Sequence, residues 1–263
     1  KKQERRPVEV KRPMATNSGN ILPANLTSLH AGEEQLREKA LALIAADERL
    51  ELHLAITEAA MDLADILRQF DTADEDLKVL QILGMRSFNA FGASIKLALS
   101  GYSQNSALIL RDVLETAFLL SYFAGDRSLI ARWRLADEKS RQRDFGPVKV
   151  REAIDARVGF TGTERSEIYT MFSELAGHPT MKSAFMMRPQ RDGDAVIGPF
   201  VGSTTLDAVV SEIGKLAVQI GEQLTLFFPP AWDHGLASRL AFAMLKQRWI
   251  AKFYPAAAAS TLD

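Results

Sequence analysis

Arg111, Asp112 and Glu115 lie in the middle of an otherwise apolar segment, ALILRDVLETAFLLSYFAGD, with Tyr122 further along it and His178 in a later FSELAGHP. Arginine one turn from a glutamate is a pattern for holding an anion, the carboxylate steering the guanidinium fork. A histidine brought to the same place would add a nitrogen that titrates near neutrality. Such a pair could move a proton and stabilise charge developing on a phosphoryl group. A structural arrangement competes with this one. Arg111 and Glu115 pair with each other or with backbone carbonyls and fix helix register, while His178 caps carbonyls at a helix end. Arginine placed four residues before glutamate is the weaker orientation for a simple pair, which favours partners on other elements. The residues leave both arrangements open.

Other chemistries find little support. The chain has no cysteine, which excludes disulfides, thiolate metal sites and cysteine nucleophiles. Its four histidines are scattered, with no His-x3-His or Glu-x-x-His pair, so no metal site is expected. No phosphate loop, dinucleotide fingerprint or Gly-x-Ser-x-Gly elbow occurs, and no cofactor is expected.

The elements that must position these residues are helices. At about 100° per residue, Arg111 and Glu115 fall about 40° apart, with Leu108, Phe118 and Tyr122 on the same side. Ile109, Leu110, Val113, Leu114 and Ala117 occupy the rest, so no continuous polar stripe exists and the helix belongs at the centre of a bundle. Residues 33–70 carry helical spacing that the acids near Asp47 can divide. Thr72 and Glu75 suit a capping box for the next helix, and Gly101 suits its left-handed end. Small residues at Gly84, Ala90, Gly92, Ala93 and Ser94 predict close packing by a neighbour. Helices then follow at 128–145, 147–158, 163–175, 205–228 and 234–253. Between 163–175 and 205–228, the apolar runs 184–189 and 195–201 flank Asp192-Gly193, a hairpin signal. The expected fold is all-α: a bundle of seven to nine helices in one domain, residues 28–255, with a small β-hairpin near 184–201. Residues 1–27 read as a basic extended arm and 256–263 as a frayed tail.

The 263 residues carry 32 basic and 33 acidic side chains, so no global field draws the protein to nucleic acid or an anionic membrane. Two local basic features remain. KKQERRPVEVKR opens the chain, and Arg132, Arg134, Lys139, Arg141 and Arg143 lie in RWRLADEKSRQRDF beside Trp133. They could form a modest RNA-contacting patch or a salt-laced exposed helix. No run reaches the length of a membrane span, and a cytoplasmic location is expected.

GYSQNSALILRDVLETAFLLSYFAGD followed by YTMFSELAGHPT resembles bacterial proteins of the HEPN-like group, including abortive-infection relatives, over roughly residues 75–180. The resemblance rests on Gly101, Tyr102, Arg111, Glu115, Thr116, Ser173, His178 and Pro179. It implies a helical bundle, often a homodimer, in a phage-defence or toxin–antitoxin setting, binding a nucleotide, RNA or a protein partner. Arg111, Asp112, Glu115, Tyr122 and His178 would line its polar pocket. Many relatives cleave RNA without metal through Arg-x(4–6)-His, a spacing absent before every histidine here. An RNA-cleaving effector would therefore need Arg111 and His178 to meet through space. A purely structural dimer would instead use the small-residue face and Met181, Met186 and Met187.

Overall fold

Apolar residues on most sides of the segment carrying Arg111 call for burial, and the computed structural model packs it among other helices, with Leu108 left exposed. The structure describes residues 22–190, 192–230 and 232–255. Its ten α-helices are α1 (Ala24–Ala45), α2 (Glu48–Arg68), α3 (Glu75–Leu99), α4 (Ser103–Gly125), α5 (Ser128–Leu135), α6 (Glu138–Phe145), α7 (Pro147–Val158), α8 (Glu164–Phe172), α9 (Ser203–Thr225) and α10 (Leu236–Phe253). Helices α2, α3, α4 and α9 pack together, α10 lies on α2, and α7 and α8 lie on α4. Ile56, Leu63, Phe91, Leu110, Leu114, Ile213 and Leu216 meet in the core with almost no exposure. A second, smaller cluster joins Ala40 and Ile44 of α1 to Leu50, Leu206 and Val210.

The small residues of α3 serve two intramolecular contacts. A side chain on Gly84 would lie 3.5 Å from Ala64 of α2, and Ser94 is sealed against Ser106 of α4 with their hydroxyls 2.7 Å apart. Gly92 and Ala93 face solvent. The left-handed turn expected at Gly101 is present (φ 88°). A Cβ there would meet the Phe200 backbone nitrogen at 2.7 Å, so glycine is needed for close approach as well as for conformation.

The all-α bundle is as expected, but four local readings are corrected. Among the described residues there is no strand. Across the Asp192-Gly193 turn, Val196 N–H donates to the Met187 carbonyl (3.0 Å). Pro189 and Pro199 remove ladder donors, and Phe200 N–H goes to the Gly101 carbonyl instead. An isolated two-stranded ladder with those losses does not hold. Met181–Met187 coils as a 3-10 turn. The described residues hold ten helices because 128–145 divides: Asp137 caps α6 by accepting the Ser140 N–H at 2.7 Å, and Ala136 is extended. The cap of α3 is Asp74, which accepts the Asp76 and Leu77 amides; Thr72 accepts from Asp74 N–H one step earlier. Helix α1 begins at Ala24, so residues 24–27 of the segment read as an arm are helical. Residues 1–21 and 256–263 lie outside the described residues.

One buried polar group ties the outer helix down. His53 of α2, 2% exposed, accepts the Trp249 indole N–H of α10 at 3.0 Å and stacks on Phe253 at 4.2 Å. Burial, with Lys215 and Arg49 adding like charge, lowers its pKa to about 4. The ring is therefore neutral at pH 7.

Candidate functional site

Arg111 finds its partner on another element, as its order relative to Glu115 foreshadows. Its Nη2 donates to the Tyr169 hydroxyl of α8 at 2.7 Å, and that hydroxyl donates to Glu115 Oε1 at 3.1 Å. The direct separation of Arg111 and Glu115 is longer, 3.5 Å. The Tyr169 phenol thus bridges guanidinium and carboxylate. This hydrogen bond, opposed by burial, holds Arg111 above its ordinary pKa.

A second cation, unremarked in the sequence, shares that ring. Arg151 of α7 is only 8% exposed, and its guanidinium lies 4.3 Å from the Tyr169 centroid. The Arg111 guanidinium lies 5.0 Å from the same centroid. Two cations therefore face one phenol, with Glu115 the only carboxylate among the described residues bonded into the group. Nε of Arg111 and Nη1 of Arg151 are buried and have no hydrogen-bond partner among the described residues. A third such atom, Arg188 Nε, belongs to a guanidinium over Phe185. The signal for Arg151 lay in VKVREAI, an arginine on the apolar stripe with Val150 and Ile154. A cationic residue at core register asks for a partner.

Local sequence explains the placement. Helix α8 runs on into a π turn, Ser173–Gly177, closed by the His178 N–H on the Ser173 carbonyl at 2.8 Å. Ser173 donates its hydroxyl to the Tyr169 carbonyl. Such wide turns are frequent at functional sites. Gly177 packs directly on Arg111: a Cβ there would lie 2.9 Å from Nη1. Glycine at that position gives the guanidinium its room.

The other expected site residues separate. His178 follows Gly177, yet it is exposed and its imidazole bonds to no described residue. Asp112 faces α3 and pairs with Arg86 at 2.5 Å. Tyr122 turns its ring edge to Phe145, 6.1 Å away, and belongs to the packing beneath α6. Of the five residues expected to line one pocket, only Arg111 and Glu115 are brought together by direct contact.

The basic group is divided by the break at Ala136. Arg134 pairs with Asp76, Arg143 pairs with Asp144, and Arg141 donates to the Ala136 carbonyl while lying over Trp133. Arg132 and Lys139 are exposed. Among the described residues, no group of three or more His, Asp and Glu side chains is placed to hold a metal ion. No helix among them is long and apolar enough to cross a membrane.

No family model, curated protein or solved structure matches this chain.

Proposed function

We propose that this protein is a HEPN-like helical binding module whose Arg111–Glu115–Tyr169–Arg151 cluster takes a phosphate-bearing ligand, the end of a nucleotide or of an RNA strand. The setting that reading implies is phage defence or a toxin–antitoxin pair. One observation carries it: two guanidiniums on separate helices converge on Tyr169, and each keeps a buried N–H unspent. Buried cations without an equal number of carboxylates are costly, and an incoming phosphate would balance the charge and accept those hydrogen bonds. Thermal unfolding with pyrophosphate, AMP and a phosphorylated RNA tetranucleotide tests the reading. A ligand that binds only the folded chain raises its midpoint by mass action. We expect a rise of several degrees at millimolar ligand, lost in Arg111→Met and in Arg151→Met. No rise with any of the three would sink the proposal.

A second reading rests on Gly177. Its contact with Arg111 brings the backbone that carries His178 beside the guanidinium, and the imidazole is free to turn toward a bound strand. In that case the protein cleaves RNA without a metal ion, His178 shuttling the proton and Arg111 holding the charge that develops on phosphorus. Growth arrest on expression that His178→Ala relieves would support cleavage. Arrest that persists in that variant would exclude it.

A further inference from the structure

We propose that the cleft between α4, α7, α8 and α9 is a second binding site, for a small uncharged planar heterocycle that carries a hydrogen-bond donor and acceptor side by side, as a cyclic amide does. The cleft has a volume of about 470 Å³ and is walled by Leu114, Phe118, Ile154 and Ile168, with Gln219 and Gln223 along its α9 side. That volume is within the range of small-molecule sites, which join apolar walls to a few convergent polar groups. Apolar walls alone would mark only loose packing between helices. The two carboxamides make the difference.

Gln219 and Gln223 lie one turn apart on α9, both half-buried, and neither side-chain amide bonds to a described residue. Glutamine amides with a structural role in this protein behave otherwise. Gln81 spends its amide on the Leu67 and Phe70 carbonyls, at 3.0 and 2.7 Å. Gln69 spends its amide on Asp65. A free carboxamide holds its C=O and NH₂ in one plane, which matches a ring edge with adjacent donor and acceptor through two hydrogen bonds. Either flip of the amide serves, so the order of donor and acceptor on the ring is not restrictive.

The charges argue for a neutral ligand. Arg165, at the edge of the cleft, is committed to Asp155 and lies over Phe160, 5.2 Å from its centroid. Glu164 lines the same edge but is exposed. No cation at this cleft is left unpaired for an anion, in contrast to the cluster on Tyr169. None of Arg111, Arg151 and Tyr169 lines the cleft, so the two sites stand or fall separately.

Carbostyril, a bicyclic aromatic lactam, and quinoline, which lacks the lactam, are the probes. Calorimetric titration of the full chain should show carbostyril binding about tenfold tighter than quinoline, the worth of one or two net hydrogen bonds. The double variant Gln219→Leu/Gln223→Leu should level the two affinities without lowering the unfolding midpoint. Gln219→Glu/Gln223→Glu, which keeps the side-chain shape and the acceptors but removes the donors, should leave a lactam preference, because the carbostyril N–H still finds an acceptor. Equal binding of the two probes to the native chain overturns the proposal, as does a lactam preference that survives Gln219→Leu/Gln223→Leu. No binding of carbostyril at millimolar concentration overturns it too.

Discussion

The imidazole of His53 and the guanidinium of Arg151 belong to residues that are 2% and 8% exposed, yet their surroundings treat them differently. His53 is closed: its Nδ1 accepts the Trp249 N–H, its face meets Phe253, and Gly214 omits a side chain where a Cβ would lie 2.4 Å from Nδ1. Burial keeps it uncharged. Arg151 has an aromatic face and no carboxylate, and it keeps both its charge and an unspent N–H. A bundle can bury a polar side chain by neutralising it and closing its hydrogen bonds, which ties helices together. It can also hold the charge open at a cost in stability, and only binding recovers that cost. The first arrangement is structural and the second is a site.

Acid should separate the two regions most. The folded pKa of His53 is lowered to about 4 from an ordinary 6.5, so the unfolded chain binds the proton first. Above pH 6.5 the ring costs nothing. As pH falls from 6.5 toward 4, stability should drop by about 3 kcal/mol in total. Urea midpoints measured across that range check this, and His53→Gln should flatten the slope. An unchanged slope in His53→Gln would mean that His53 is not the acid-sensitive tie.

Trp249→Phe sharpens the same side of the comparison. It preserves an aromatic ring but leaves Nδ1 of His53 buried without a donor, a loss of about 2 kcal/mol by urea denaturation. The His53 pKa, followed by NMR, should move in the variant. Little change in either quantity would show that stacking on Phe253 is enough to close the group.

The closed region was easier to read from sequence than the open one, for a physical reason. His53 in LELHLAIT lies on an apolar period, and the packed interior follows from periodicity alone. Helix α4 was legible for the same reason, since Ser103–Gly125 has apolar residues around most of its circumference. Arg111 with Glu115 was visible as one turn of spacing, and their sequence order already pointed to an outside partner. That partner, Tyr169, is 58 residues from Arg111, and nothing local in EIYTMF marks it. Arg151 was hidden by a basic and acidic neighbourhood that reads as surface. His178 and Tyr122 failed to join because sharing a motif or a helix face fixes direction but not contact. The expected hairpin was lost to its prolines, whose missing donors outweigh a good Asp-Gly turn.

Arg151→Met tests the open side. Removing a buried charge that has no carboxylate partner should leave stability unchanged or raise it by about 1 kcal/mol, despite the lost contact with Tyr169. Stabilisation by pyrophosphate should disappear at the same time. Chemical denaturation with and without the anion measures both. A loss of more than about 2 kcal/mol in the absence of anion would place Arg151 with His53, as a tie rather than a site.

Gly177→Ala asks for the smallest change in energy. The new Cβ would meet Arg111 Nη1 at 2.9 Å and its Cδ at 3.4 Å, contacts made by the far end of a flexible side chain that can move aside. Alanine is also the better residue for helical backbone, by up to about 1 kcal/mol. Stability should therefore stay within about 0.5 kcal/mol of the parent, the ordinary range for a substitution that breaks no core contact. The guanidinium, however, can no longer stay where it donates to Tyr169 at 2.7 Å. Pyrophosphate stabilisation should weaken several-fold in a protein that is otherwise unchanged, and anion titrations of the unfolding midpoint would show it. Undiminished anion response in Gly177→Ala would mean that the position of Arg111 is not what the open cluster depends on. The unspent nitrogen of Arg151 would then have to carry the site alone.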